Sequence, residues 1–363
     1  MKFHSILAGL SLAMAVLAVS CKSTPAPGVI HGDPSEKVLI AYIYHPVELP
    51  DPTYLTHINY AFGHVNDTFD GVRVEQEEWL AKIAGLKKKY PHLKVLLSIG
   101  GWGSGNFSEM AADSLLRLSF ARDCKRLVDR YDLDGIDIDW EYPGSSVANI
   151  SSSEDDVANY TKMMRDIRIE IGWEKILSHA TDGGAAHIDY AAVDQYMDYT
   201  NVMSYDLGQQ PYHRSPLYAS DLLLEPGSIS QDSCIRAHLA AGIAPEKLVM
   251  GMIFGGVRGA DPTKAHLLEG YTYHWDTLAQ EPYLTNDATG EVAFAYVDEK
   301  SAFNKAKYAL SMGLKGAMYW EYKGDTPDGA FRKTVYRALN DTSFALGTYD
   351  NRKLQLKPRR PQQ

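Results

Sequence analysis

Asp134-Gly135-Ile136-Asp137-Ile138-Asp139-Trp140-Glu141-Tyr142-Pro143-Gly144 is the stretch on which the reading of this chain turns. Alternate residues of a strand share a face, so Asp137, Asp139 and Glu141 point one way while Ile136, Ile138 and Trp140 point the other. The isoleucines between the acids exclude a solvated acidic run, because both faces are then needed inside the protein. In a barrel the apolar face packs against helices and the acidic face lines the interior, with carboxylates ~7 Å apart at each step. Such a row is costly unless protons are shared and hydrogen bonds supplied. Catalysis, metal binding and a satisfied polar core network are the available readings. Catalysis is favoured because Glu141 closes the strand at the C-terminal rim, where barrel active sites lie. Crowding on one buried face should lift the Glu141 carboxyl above its ordinary range, and replacing Asp139 by Asn is expected to bring it down again.

Outward from this strand, short β-branched runs alternate with amphipathic segments. Strands are expected at residues 38–43, 57–62, 94–99, 135–140, 176–180, 199–205, 248–254 and 316–320, with the clearest helices at 76–89, 114–131, 157–171 and 301–312. Eight alternations predict an α/β fold, a single (β/α)8 TIM barrel over residues 37–342, rather than an open sheet. The first connection, residues 46–56, is short and Pro-rich, which argues against a helix there. Asp134 has the opposite parity to the acidic row and reads as structural, and Ser98 and Gly100 on the neighbouring strand read as supports for Asp137. Tyr42 and Phe62 either line a pocket or pack it.

The ends carry other signals. Lys2 followed by an apolar run to Val19 has the layout of a secretory signal, and Leu17-Ala18-Val19-Ser20-Cys21 resembles a bacterial lipobox. Residues 1–21 are therefore expected to be a lipoprotein-type signal, and the alternative is an ordinary signal with an incidental cysteine. Residues 22–36 form a Ser/Thr/Pro/Gly-rich tether and 343–363 a polar tail. The expected location is the bacterial cell envelope, with contact to membrane only through a lipid on Cys21. Cys124 and Cys234 are expected to be buried free thiols. The 363 residues carry 36 Lys+Arg against 46 Asp+Glu, a net charge of −10, which argues against a nucleic-acid partner. No CxxC or clustered His/Cys spacing suggests zinc.

Asp134, Asp137, Asp139 and Glu141 match the D-x-x-D-x-D-x-E signature of glycoside hydrolase family 18, the chitinases and their relatives. Ser98-Ile99-Gly100-Gly101-Trp102 resembles the family's S-x-G-G segment and Met203-Ser204-Tyr205-Asp206 its M-x-Y-D segment. Ser215-Pro216-Leu217-Tyr218 and Gly316-Ala317-Met318-Tyr319-Trp320-Glu321 are similarly placed. The resemblance implies a retaining, substrate-assisted hydrolase of β-1,4-linked N-acetylglucosamine polymers, acting as a monomer without metal or organic cofactor. It implies that Glu141 is the acid and then the base, that Asp139 holds the acetamido N–H, that Asp137 shares a proton with Asp139, and that Tyr205 holds the acetamido oxygen. Trp320 would form the floor under the −1 sugar and Trp102 a sugar platform, with Asp206, Met203, Tyr142, Tyr42 and Phe62 the further substrate-binding candidates. Endo-β-N-acetylglucosaminidase activity on N-glycan cores is the alternative. A non-catalytic lectin is disfavoured because all three inner acids stand. The seventh strand departs from the family, reading Phe254-Gly255-Gly256-Val257-Arg258, with Arg258 one residue late and a Tyr absent. The following connection, residues 256–298, is expected to hold an abbreviated insertion, a remnant around Tyr273-His274-Trp275-Asp276 and Pro282-Tyr283.

Overall fold

The structure is a computed structural model and describes residues 36–222, 229–255 and 261–346. Cys21, the rest of the leader, most of the tether, Arg258 and residues 347–363 lie outside the described residues.

Among the described residues, twelve strands occur in the order β1 (Val38–Tyr44), β2 (His57–Val65), β3 (Val72–Val74), β4 (Lys94–Gly100), β5 (Gly135–Asp139), β6 (Ile176–Thr181), β7 (Tyr199–Val202), β8 (Leu248–Met252), β9 (Tyr271–Asp276), β10 (Glu281–Asn286), β11 (Val292–Ala295) and β12 (Gly316–Tyr319). The α-helices are α1 (Glu77–Ala84), α2 (Phe107–Ala112), α3 (Ser114–Tyr131), α4 (Asp156–Ile171), α5 (Tyr190–Val193), α6 (Gln231–Ala240), α7 (Glu299–Ser311) and α8 (Ala330–Asn340). Parallel pairing runs β1-β12-β8-β7-β6-β5-β4-β2, and β1 pairs with β2 to close the ring. The eight expected strands are the eight staves of this barrel, and no helix intervenes between β1 and β2.

The alternation within β5 does what its residue types require. Ile136, Ile138 and Trp140 are buried in the layer between strands and helices, where Trp140 stacks on Phe107 at 5.2 Å. Asp134, at the opposite end of the strand from Glu141, accepts the Val95 N–H at 2.9 Å and pairs with Lys87 at 3.2 Å, as a structural residue should. Cys124 and Cys234 are buried free thiols. Helix α3 is started by Asp113, whose carboxylate accepts the N–H groups of Leu115 and Leu116, and α6 by a Ser230/Ser233 capping box.

Three details differ from the sequence reading. Strand β2 runs on to Val65 and folds back through β3, and a register shift between Ala61 and Gly63 brings Phe62 as well as Ala61 into the barrel interior. Staves β5, β7, β8 and β12 stop one to three residues earlier than expected, so Glu141 and Tyr205 sit just beyond the strands, while the Trp320 N–H still donates to the Met252 carbonyl of β8 at 3.1 Å. The insertion is an ordered antiparallel sheet, β11-β10-β9, with its own apolar centre at Ala265, Leu284 and Tyr296.

Candidate active site

Asp137 is the hub of the barrel interior. Its Oδ2 accepts hydroxyl protons from Ser98 at 2.8 Å and Tyr42 at 2.9 Å, and its Oδ1 accepts from Ser178 at 2.7 Å and the Asn201 amide at 3.1 Å. Burial pushes its pKa up, and these four donors pull against that rise. All four acceptor positions are taken by other donors, so the direct Asp137–Asp139 proton sharing implied by the resemblance is not formed in this arrangement. The inward-facing Ser178 and Asn201 escaped sequence reasoning. Their available signal was parity: each is the polar member of the inward set on a strand otherwise lined by apolar or aromatic groups.

Asp139 is buried, and its Oδ1 has no hydrogen-bond partner. Burial, then the charges of Glu141 and Asp137, hold its pKa well above the carboxylate range. Glu141 is raised to about 7 by burial, tempered by a hydrogen bond with the Tyr142 hydroxyl. Tyr205 is brought to the same place: burial and then the charges of Asp139 and Glu141 keep its hydroxyl protonated far into the alkaline range. Room for its ring comes from Gly251, where a Cβ would lie 2.9 Å from Tyr205 Cε1 and 2.2 Å from the Val202 carbonyl. The backbone before Tyr205 is fixed by buried Gln231, whose amide donates to the carbonyls of Ser204 at 2.9 Å and Gly251 at 2.8 Å.

An aromatic layer adjoins the acids. Trp320 stacks on Phe62 at 5.7 Å and meets Tyr44 at 5.6 Å and Tyr42 at 6.1 Å, while Met203 packs on the same cluster. Tyr42 therefore serves the interior as a hydrogen-bonding group, and Phe62 backs Trp320. Tyr44 was missed, although it shares the parity of Tyr42 two residues earlier. Trp102 is 63% exposed at the rim and stands edge-on to Tyr142 at 6.5 Å. His187, also missed, stacks on the far part of this array, 5.1 Å from Tyr142. Asp206 departs from the group. It has a positive φ of 56°, is about half exposed, and pairs with Arg214 rather than with the acids.

The S-x-G-G glycines have a steric explanation. Gly100 (φ +132°) lies so close to β5 that a Cβ would come within 1.9 Å of the Asp139 carbonyl, and at Gly101 (φ +93°) it would meet the Phe62 ring at 2.7 Å. The Gly101 N–H donates to that same Asp139 carbonyl at 2.8 Å. Glycine here sets the distance between the acidic strand and its neighbour.

Comparison with known proteins agrees with this geometry. Residues 34–325 match the family model described as glycosyl hydrolases family 18. Chitinase C of Streptomyces lividans is 30% identical over 76% of this chain and 53% of its own length. Chitinase A1 of Niallia circulans is 27% identical over 76% of this chain and 53% of its own. The chain thus spans about half the length of these two relatives. Among solved structures, a family 18 N-acetylglucosaminidase from Paenibacillus barengoltzii superposes with a TM-score of 0.73 at 31% identity, covering 84% of this chain and 100% of that one. A barrel with an acidic stave, a match over most of the chain and these relatives lead to one conclusion: the chain belongs to glycosyl hydrolases family 18.

Proposed function

We propose that the protein hydrolyses β-1,4 links between N-acetylglucosamine units of chitin or its oligomers, with retention, using the substrate's own acetamido group as nucleophile. The observation that carries this reading is the pairing of an unpartnered, buried oxygen on Asp139 with a Glu141 carboxyl near pKa 7. An unmet buried acceptor is expensive, and a substrate N–H is the donor that would meet it. Glu141, half protonated near neutrality, donates its proton to the leaving glycosidic oxygen. The acetamido oxygen, held by the Tyr205 hydroxyl, attacks the anomeric carbon and forms an oxazolinium ion. Asp139 accepts from the acetamido N–H and stabilises that cation. Glu141, now a carboxylate, takes a proton from water as it opens the ring from the same face. An internal nucleophile can lower a barrier by ~7–11 kcal/mol once positioned. Positioning falls to Trp320 beneath the sugar and to Trp102, Tyr142 and His187 along the rim. The names of the Streptomyces and Niallia relatives support the substrate class.

Product analysis with anomer detection on N-acetylglucosamine oligomers tests the proposal. The β anomer should form first, a thiazoline mimic of the intermediate should inhibit, and oligomers with glucosamine at −1 should bind without being cut. Efficient cleavage of the de-acetylated link would require a protein nucleophile and overturn the mechanism. Likeness to the Paenibacillus N-acetylglucosaminidase favours a second reading, release of single units, and product length separates the two. We also propose that a lipid on Cys21 anchors the enzyme in the cell envelope. Cys21→Ser should then move native protein from the membrane fraction to the soluble one, and a wild-type protein that is already soluble would remove the anchor.

A further inference from the structure

Two sequence features without a part in the chemistry, Ser215-Pro216-Leu217-Tyr218 and the pair of segments around Trp275 and Tyr283, meet in one buried cluster. Beyond Tyr205 the chain doubles back as a tight loop. The Leu207 N–H donates to the Arg214 carbonyl at 2.9 Å, and at Gly208 a Cβ would lie 2.4 Å from the His213 carbonyl. This loop places His213, fully buried, between β9 and β10. Its Nδ1 lies 2.8 Å from Glu281 Oε2 and its Nε2 3.4 Å from Asp276 Oδ2. From α7, Lys305 Nζ reaches Glu281 Oε1 at 2.5 Å and Ser215 Oγ at 2.9 Å. The Ser220 hydroxyl donates to Asp276 Oδ2, and Tyr283 turns an edge to the imidazole. Asp298, the N-cap of α7, faces Lys305 and accepts the Ser301 N–H. The loop is tied to the insertion a second time, because the Gln210 side-chain amide donates to the Ala295 carbonyl at 2.7 Å and accepts its N–H at 3.2 Å.

We propose that His213 is a positioning residue of the active site: its imidazolium completes a buried ionic cluster with Glu281, Asp276 and Lys305 that clamps the loop bearing Tyr205 and Asp206 against the inserted sheet. The kinetic part rests on the sugar-cleft reading above. The charge count carries the argument. Glu281 and Asp276 face Lys305 and the imidazolium, with the Asp298 carboxylate also facing Lys305, so a neutral imidazole would leave carboxylates further in excess in a buried site, where uncompensated charge is strongly destabilising. Burial alone would drive the proton off His213, but the contacts to Asp276 and Glu281 outweigh it and hold the group above its ordinary range. Burial of Glu281 is likewise outweighed by Lys305 and His213, which take it down to about 2. Because the folded imidazole binds its proton more tightly than the unfolded one, the clamp is at full strength below pH ~6.5 and is lost as pH rises through the higher folded value. Arg214, next to His213, pairs with Asp206, so a loosened loop moves a group at the cleft.

Nitrogen NMR of histidine-labelled wild-type protein, with the His213 signal assigned by its loss in His213→Gln, should show both ring nitrogens protonated at pH 7; a neutral ring overturns the proposal. At pH 5.5, His213→Gln should raise KM for a chito-oligosaccharide roughly tenfold with kcat within about twofold, and should abolish any further rise of KM with pH. Wild-type KM in that variant also overturns the proposal. Adding Glu281→Gln removes one carboxylate and restores the charge count, so the double variant should recover most of the lost affinity; a double variant no better than the single one shows that packing, not charge, is at stake, and overturns it. If wild type cuts no chito-oligosaccharide, the substrate reading fails separately, and the state of the His213 ring still decides the charge balance.

Discussion

Glu141 and Asp139 stand two residues apart, yet they hold their protons for different reasons. Burial alone lifts Glu141 to about 7, while Asp139 carries burial and, in addition, the charges of Glu141 and Asp137. The first proton lost therefore belongs to the pair, and the charge it leaves behind makes the second harder to remove. Asn can never carry that charge, so Asp139→Asn is expected to lower the pKa at which Glu141 titrates, as the sequence reading has it. The alkaline limb of kcat/KM, set by loss of the Glu141 proton, should fall near pH 7 in wild type and at lower pH in Asp139→Asn. The variant's kcat should also drop by ~10²–10³, because an amide cannot become the carboxylate that stabilises the developing cation. A limb that stays put or moves to higher pH would show that the two carboxyls do not act on one another. Glu141→Gln keeps the shape but has no proton to give, so kcat should fall by at least ~10²–10⁴ while calorimetry still registers oligosaccharide binding. Near-normal turnover would remove Glu141 from the acid's role.

At the scale of elements, the site is made where strands stop. The eight staves were legible because each is a run of period two or continuous apolar character between helical patterns, and the acidic face of β5 was legible because isoleucines mark its other side. Strand ends were not legible: Tyr199 to Tyr205 reads as one strand by residue type, and only the geometry of the barrel mouth ends it at Val202. The register shift that turns Phe62 inward has no residue signature, and the inserted sheet is specified by pairings between segments that are each weakly strand-like. His213 was invisible for a related reason, since its partners come from β9 and β10, and Lys305 of α7 joins only through Glu281. The glycine pair is where sequence and geometry agree most closely. Gly100→Ala must either push β4 from β5 or distort Asp139, at a positive φ that alanine resists, and should destabilise the fold by roughly 2–4 kcal/mol. Gly85→Ala is the control, because its φ of −62° is ordinary and nothing lies within 4 Å of the added methyl. Denaturant unfolding should show that control unchanged or stabilised by about 0.5 kcal/mol. Equal losses in the two variants would mean that the β4–β5 approach is not what fixes Gly100.

The whole molecule divides stability and chemistry between acids of the same row. Asp137 gathers donors from β1, β4, β6 and β7, so its carboxylate links staves that lie across the barrel from one another as well as neighbours. Glu141 makes no such links, and its nearest polar partner is the adjacent Tyr142. Substitutions at the two positions should therefore separate. Asp137→Asn replaces one acceptor oxygen by a donor, which then faces a hydroxyl or amide that also donates, and at least one buried pairing is lost. Leaving a buried polar group unmet costs about 1–3 kcal/mol, and the loss is felt by four strands because the bonds share one carboxylate. Glu141→Gln leaves this interior untouched. Its unfolding free energy should equal or exceed that of wild type at neutral pH, because wild type loses stability as pH rises from the ~4.3 of an unfolded Glu to the folded value of about 7, and Gln does not titrate. Parallel denaturant curves and turnover measurements decide the matter. Asp137→Asn should lose both stability and activity, and Glu141→Gln activity alone. An Asp137→Asn protein as stable as wild type would mean that the interior re-pairs around the amide, and that Asp137 does not hold the barrel together as its four hydrogen bonds imply.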